Sequence, residues 1–157
     1  MRRRDFLKVP LVLGFIFTAV PKLWDGLLFA AKKEELELPF EKIYAEITKD
    51  KKVVKDAKEL FLKIPDEVAN GREVPVEIDV DYPADEKKYI SKITVLTTKN
   101  LSNLVVSANF TPDTGTGYLF TKVKLKESQE IVVLCETNGG RVFEKRKFVK
   151  TAIGGCA

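Results

Sequence analysis

A stretch of alternating apolar and acidic residues decides the fold: Glu73-Val74-Pro75-Val76-Glu77-Ile78-Asp79-Val80-Asp81-Tyr82. Successive side chains of a β-strand point to opposite faces, so the apolar residues share one face and most of the charged residues share the other. This pattern predicts a strand with one buried and one solvated face, which is the usual situation in an antiparallel sheet. The stretch therefore favours an all-β protein.

Six further strands are predicted around this one. Leu60, Leu62 and Ile64 alternate before Pro65, and five more segments have the composition of strands: Tyr89–Thr98, Leu104–Phe110, Tyr118–Leu125, Glu130–Thr137 and Arg141–Val149. The sequence Asn138-Gly139-Gly140 separates the last two segments and tolerates the positive φ that a tight hairpin requires. About seven short strands with turns between them indicate an antiparallel β-sandwich.

Three local features complete the predicted domain. Phe40, Ile43, Tyr44 and Ile47 recur at helical spacing, which predicts a short amphipathic helix over Pro39–Lys49 before the sheet. The charged segment Lys49–Lys58 that follows is predicted to be a linker. In the last strand Phe143 and Phe148 fall on opposite faces under strict alternation, so we expect a β-bulge between them.

The N-terminus has the pattern of an export signal. The sequence Arg3-Arg4-Asp5-Phe6-Leu7-Lys8 precedes the apolar run Val9–Val20, which is similar to a twin-arginine signal. We therefore expect a signal segment at 1–31, a domain at 32–152 and a periplasmic location. The apolar run is shorter than the roughly 20 residues that span a bilayer. Leu28 and Phe29 are bulky for a cleavage site, so retention as an uncleaved membrane anchor stays open.

Composition excludes several classes of function. The chain has no histidine, one methionine and two cysteines, which disfavours most transition-metal sites, haem attachment and histidine-dependent catalysis. No metal or other cofactor is predicted. Residues 1–31 contain five basic and two acidic residues, so their removal lowers the net charge from +4 to +1. Nucleic-acid binding is not expected of such a domain. Because twin-arginine export carries folded proteins, a partner subunit is a simpler reason for this route than a cofactor.

The C-terminus offers one exposed thiol. The chain ends in Gly154-Gly155-Cys156-Ala157, and glycines leave the backbone free to move. A flexible arm is therefore predicted over 153–157, with Cys156 as its reactive residue. Cys135 continues the apolar face of a predicted strand and is expected to be buried. In an oxidising compartment two cysteines usually pair, so a disulfide between Cys135 and Cys156 is the structural alternative.

Several of these features in order resemble the SoxY family, the sulfur-carrier subunits of the periplasmic thiosulfate-oxidation system. They are the twin-arginine start, the helix before the sheet, the Gly-Gly-Cys tail, and four segments: Pro65-Asp66-Glu67-Val68-Ala69-Asn70-Gly71 followed by Val74-Pro75-Val76, Phe110-Thr111-Pro112, Thr121-Lys122-Val123-Lys124-Leu125, and Ser128-Gln129. The resemblance spans nearly the whole chain. It implies an immunoglobulin-like sandwich that forms a heterodimer with a SoxZ-like subunit.

The resemblance also implies a function for the arm. Cys156 matches the carrier cysteine to which sulfur intermediates are covalently attached, and Gly154 and Gly155 match the two glycines before it. The chain is then a substrate carrier and not an enzyme, and other sulfur-oxidising enzymes act on the group bound to Cys156. The sequence departs from the family pattern at Ala157, where the family has two more glycines. This brings the terminal carboxylate next to the thiol.

Two other classes of function use the same fold. The protein could be an exported interaction or structural subunit whose Cys156 is disulfide-bonded or vestigial, because a sandwich alone does not specify chemistry. A redox pair of Cys135 and Cys156 lacks the close C-x-x-C spacing of such sites. The basic run Lys145-Arg146-Lys147 with Lys150 could attract sulfur oxyanions, although a solvated strand face explains it more simply.

Overall fold

A computed structural model describes residues 39–155, which form one α-helix, nine strands and a single 3-10 turn at Pro112–Thr114. In chain order these are α1 (Phe40–Thr48), β1 (Lys52–Lys55), β2 (Leu60–Lys63), β3 (Glu67–Asn70), β4 (Val74–Val80), β5 (Ile90–Thr97), β6 (Leu104–Asn109), β7 (Gly117–Val123), β8 (Gln129–Thr137) and β9 (Arg141–Ile153). Within these residues no helix has the length and apolarity needed to cross a membrane.

The strands form two sheets. The smaller sheet has the order β2-β4-β7 and is antiparallel throughout. The larger sheet has the order β1-β9-β8-β5-β6, and β3 also pairs with β9. In the larger sheet β8 pairs antiparallel with both β5 and β9. The predicted all-β sandwich with a short N-terminal helix is therefore confirmed.

The main core lies between the two sheets. The alternating stretch that predicted β4 contributes Val74, Val76, Ile78 and Val80, all of them buried. The facing residues of the larger sheet include Ile131, Val133, Cys135, Phe143 and Val149. Burial of these apolar side chains contributes about 25 cal/mol for each Å² removed from water.

A second, smaller core forms where α1 covers the outer face of the larger sheet. Ile43 packs there with Leu96, Val132, Leu134 and Val142. At the edge of this core the Glu144 carboxylate is 2% exposed. It accepts a hydrogen bond of 2.6 Å from the Tyr44 hydroxyl and one of 2.6 Å from Arg146 Nε. A buried carboxylate requires such partners, so the three side chains fix the helix on the sheet.

All seven predicted strands and the helix are present near their predicted positions, but three details of the prediction were wrong. The segment predicted as a linker contains β1, and β3 was not predicted; both strands pair in parallel with β9, so the sheet is not purely antiparallel. The expected bulge in the last strand is absent, because β8 and β9 pair in regular register. Phe143 faces the core and Phe148 lies exposed on the opposite face.

Candidate functional site

The candidate site is the base of the C-terminal arm. Strand β9 does not end at Val149 as predicted but continues to Ile153, where its last residues pair with β3. Gly154 and Gly155 follow directly, and Gly155 is buried. Cys156 and the export-signal residues Arg3, Arg4, Phe6, Leu7 and Lys8 lie outside the described residues. The structure therefore describes how the chain arrives at Cys156.

Backbone hydrogen bonds hold the arm base between two loops. The N–H of Gly71, in the turn between β3 and β4, donates to the carbonyl of Ile153 over 2.8 Å. The N–H of Gly155 donates to the carbonyl of Leu125 over 2.8 Å, and the N–H of Leu125 donates to the carbonyl of Gly71 over 2.7 Å. We call the backbone of Gly71, Leu125 and Lys126 the arm seat.

The arm seat leaves no room for side chains at three glycine positions. A Cβ at position 154 would lie 1.8 Å from the Lys126 carbonyl oxygen, and one at 155 would lie 2.8 Å from the carbonyl oxygen of Gly71. A Cβ at position 71 would lie 2.3 Å from the Leu125 carbonyl oxygen. These distances are shorter than any normal contact. Gly154 and Gly155 are thus required for the arm to enter its seat, in addition to the flexibility predicted for them.

Buried amides fix the loop that forms one wall of the seat. Asn100 Nδ2 donates to the carbonyl of Lys124 over 2.7 Å, and Asn100 Oδ1 accepts from the N–H of Lys126 over 3.0 Å. The same oxygen accepts from Gln129 Nε2 over 2.7 Å, and Gln129 is completely buried. Satisfied buried amides of this kind rigidify their surroundings. The loop from 124 to 126 therefore has a defined position before the arm binds.

The hydrogen bonds that hold the arm base in its seat are few and individually weak. Two backbone hydrogen bonds join it there, through Gly71 and Gly155, and each contributes a net ~0.5–1.5 kcal/mol. Fixing the backbone of one residue costs ~1–2 kcal/mol, and glycine loses the most freedom. For Gly154 and Gly155, the free energy gained from the hydrogen bonds and the free energy lost by fixing the backbone are therefore of similar size. Mobility of the arm from 153 to 157 stays a prediction, and this near balance is compatible with it.

Two basic side chains flank the seat. Arg72 follows Gly71, and its Cα lies 3.1 Å from the position that a Cβ of residue 155 would take. Lys126 is itself part of the seat, and both side chains are exposed. Within residues 39–155 neither forms an ion pair, because the neighbouring acids Glu73 and Glu127 pair with Lys122 and Lys99. The arm base therefore lies in a locally positive environment.

The basic run considered from the sequence has structural roles. Lys145 Nζ donates to the carbonyl of Leu60 over 2.7 Å, Arg146 pairs with Glu144, and Lys147 pairs with Asp66. These contacts support the simpler interpretation of the run as part of the strand surface. Lys150, the fourth residue considered, lies on β9 opposite Glu67 of β3.

Cys135 is buried as predicted, and it is a free thiol. It lies in the main core on β8, and burial raises the pKa of its thiol to about 12. A thiol that is fully protonated at neutral pH and has no access to solvent is a poor nucleophile and a poor partner for a disulfide. Among residues 39–155 there is also no group of three or more His, Cys, Asp and Glu side chains that could hold a metal ion.

The sequence did not reveal the arm seat. In the sequence, Gly71 stood out as part of a family pattern, and it does not have the positive φ that would explain glycine there. Leu125, Asn100 and Gln129 carry no local motif. The seat consists of backbone contacts between residues far apart in sequence. The presence of glycine at these positions is therefore its only signature in the sequence.

A family model and a solved structure both relate this chain to the same family. A family model described as "Sulfur oxidation protein SoxY" matches residues 44–156. No curated protein matches. Among solved structures, the sulfur carrier protein SoxY from Chlorobium limicola f thiosulfatophilum matches with a TM-score of 0.60 and 20% identity, covering 72% of this chain and 96% of that one.

The fold also occurs in proteins described as another class. A variant of the superoxide reductase (neelaredoxin) from Ignicoccus hospitalis matches with a TM-score of 0.56 and 15% identity, covering 73% of this chain and 98% of that one. At such identities these likenesses establish the fold alone, and one fold can support several kinds of chemistry. The family match, which covers most of the chain and includes the Gly-Gly-Cys segment, is the more specific finding. This chain belongs to the SoxY family of sulfur oxidation proteins.

Proposed function

We propose that this chain carries sulfur intermediates of thiosulfate oxidation as covalent adducts of Cys156. The observation that carries the proposal is the family match that extends to residue 156, together with a built seat for the two glycines that precede the cysteine. The chain itself acts as a substrate carrier, and the sulfur-oxidising enzymes of its system act on the bound group.

Covalent attachment suits this substrate because a small inorganic anion offers little surface for binding. Once attached to a protein arm, the sulfur is presented at a high effective concentration and does not diffuse away between enzymes. Attachment of thiosulfate forms a bond between its outer sulfur and the Cys156 sulfur. This step releases the thiol proton and transfers two electrons to an acceptor, which we assign to the partner enzyme.

Activation of the proposed thiol comes mainly from outside the arm. An unperturbed cysteine has a pKa of about 8.5, so only a few per cent is thiolate at neutral pH. The basic residues Arg72 and Lys126 at the arm seat favour the thiolate and attract anions. Because both side chains are exposed, solvent and salt weaken their effect, and we assign most of the activation of Cys156 to the partner enzyme.

Replacement of the attachment residue tests this proposal. We expect Cys156→Ser to abolish thiosulfate oxidation in a reconstituted system, with unfolding stability unchanged within ~0.5 kcal/mol, because residues 153–155 that lead to it belong to neither core. The matched control is Cys135→Ala, which removes the other thiol. It is expected to cost roughly 1 kcal/mol in packing and to keep full activity.

Oxidation that persists in Cys156→Ser would contradict the carrier role. A loss of stability in Cys156→Ser equal to that in Cys135→Ala would instead favour a structural disulfide. Full activity in both variants would favour the alternative function, in which the chain is an interaction subunit with a vestigial cysteine.

We infer that a SoxZ-like subunit covers the outer face of the smaller sheet. Three exposed aromatic side chains lie on this face: Phe61 on β2, and Tyr118 and Phe120 on β7. The register places Phe61 and Tyr118 in one row beside Asp79, and Phe120 in the next row beside Glu77. No element within residues 39–155 covers them. Exposed aromatic groups with a charged surround are typical of protein interfaces.

A charge introduced into this face is expected to prevent association. Phe120→Lys should abolish the heterodimer when the chain is produced together with its companion subunit, as measured by size-exclusion chromatography with light scattering. Phe148→Lys is the matched control, since Phe120 is 54% exposed and Phe148 is 50% exposed on the larger sheet. A stable heterodimer with Phe120→Lys, or a monomer for the unsubstituted pair, would contradict this assignment.

We also propose that the chain reaches the periplasm by the twin-arginine route. The support is the sequence Arg3-Arg4-Asp5-Phe6-Leu7-Lys8 before an apolar run.

The export signal can be tested by a change that keeps its charge. Replacement of both Arg3 and Arg4 with lysine should leave the protein in the cytoplasm, because recognition of the signal depends on the arginine pair. The control replaces Lys32 and Lys33, which lie beyond the predicted signal, with arginine. Fractionation and immunoblotting give the location. Normal amounts of the Arg3→Lys, Arg4→Lys variant outside the cytoplasm would refute the proposed route.

A further inference from the structure

We propose that Gly71 is a positioning residue of the carrier arm, because its backbone holds the arm base in the seat and so sets where residue 156 leaves the domain. The inference rests on the proposed function, in which Cys156 is the attachment residue. Gly71 belongs to the turn between β3 and β4 and lies far from the arm in sequence.

The need for glycine at position 71 comes from the arm seat and not from the turn. Among the described glycines, positive φ occurs at Gly115 and Gly140 and not at Gly71. A residue with a side chain could therefore adopt the backbone conformation of Gly71. What prevents a side chain is space. A Cβ at position 71 would lie 2.3 Å from the carbonyl oxygen of Leu125 and 3.0 Å from the N of Gly155.

Gly71 connects both sides of the seat. Its N–H donates to Ile153 at the end of β9, and its carbonyl accepts from Leu125, whose own carbonyl accepts from Gly155. A side chain at position 71 therefore separates the turn from the Leu125 loop and disturbs the bond that retains Gly155. Gly71 is therefore the residue through which the domain fixes the position of the arm base.

Two positions of the arm follow, and they differ in reach. With Gly155 in the seat, the Cα of residue 156 is one peptide unit away, about 3.8 Å from the Cα of Gly155. With the arm released from Ala152 onward, four residue steps allow the thiol to move roughly 14 Å from the domain surface. The residue after a seated Gly155 starts close to the backbone of Arg72, whose Cα lies 3.1 Å from the position that a Cβ of residue 155 would take, whereas a released arm can move away from these basic residues.

The difference in charge environment provides a readout that a purely structural role of Gly71 does not change. Seating raises the rate of the Cys156 thiol with an anionic reagent relative to its rate with a neutral reagent, because the nearby basic groups attract the anion. We therefore compare the rates of Cys156 with dithiobis-nitrobenzoate, a dianion, and with iodoacetamide, which is neutral. Cys135 is buried and serves as an unreactive internal reference.

The experiment uses the full mature chain with Gly71→Ala. We expect the amide of Gly155 to exchange its hydrogen about two-fold faster than in the unsubstituted chain, because its hydrogen bond is lost and a seated arm near balance is already open for about half of the time. We also expect the ratio of the anionic to the neutral reaction rate at Cys156 to fall at least about two-fold at low salt. Gly139→Ala is the matched control, since a Cβ there has open space and its nearest neighbour is at 3.9 Å.

A second variant keeps the proposal testable if Gly71→Ala fails to fold. Gly154→Ala disturbs the seat from the arm side, where a Cβ would lie 1.8 Å from the Lys126 carbonyl oxygen, and the arm belongs to neither core. It should give the same two changes. Equal exchange at Gly155 in both variants and in the control, or an unchanged ratio of rates, would overturn the proposal.

The proposed function can fail independently of this inference. Exchange and reagent rates are measured without thiosulfate or partner enzymes. If Cys156→Ser retains thiosulfate oxidation while Gly71→Ala releases the arm, the proposed carrier role is wrong and the proposed role of the arm seat is supported. If Cys156→Ser is inactive and Gly71→Ala changes neither readout, the carrier role stands and the positioning role of Gly71 falls.

Discussion

The pairing of β8 with β9 is the interaction on which the rest of the structure depends. Eight residue pairs join these strands in regular register, from Gln129 opposite Val149 to Glu136 opposite Val142. The other edge of β9 pairs with β1 and β3, which are too short to be stable alone. Alternate residues of the two long strands build the main core on one face and the smaller core under α1 on the other. Because the arm is the direct continuation of β9, this register also sets where the arm begins.

The arm base combines two requirements that usually conflict. A carrier needs its reactive group to move, yet a group that enters the sites of several enzymes also benefits from a defined starting position. Contacts made only by backbone atoms meet both needs, since each hydrogen bond is weak and glycine has no side chain to obstruct departure. The rigid part of the site is on the domain side. There Asn100 is hydrogen-bonded to the loop from 124 to 126 and to the buried side chain of Gln129. Movement of the arm over a fixed seat stays a prediction, and this division of the contacts is compatible with it.

The sequence predicted the parts of the fold that have a strong local apolar pattern. β4 has a period of two with one buried face, β8 has a continuous apolar run buried on both faces, and both were located correctly within a residue or two. The short strands β1 and β3 were missed because four residues are too few to show a period, and their pairing with β9 is a distant and parallel contact. The burial of Glu144 had no signal in the sequence, because it depends on hydrogen-bond partners from α1 and β9. The family could be recognised from segments in order, whereas the arm seat required the three-dimensional contact between Gly71 and Gly155.

The central claim is that sulfur is bound covalently to Cys156, and intact mass measures this most directly. The mature chain and its companion subunit would be incubated with thiosulfate and the oxidising enzymes of the source organism, then analysed without reductant and mapped by peptide. We expect a mass increase that corresponds to a bound thiosulfate group or to bound sulfur atoms. The increase should be confined to the C-terminal peptide, and a thiol reductant should remove it. An unmodified Cys156 after turnover, or the loss of two hydrogens that marks a disulfide with Cys135, would contradict it.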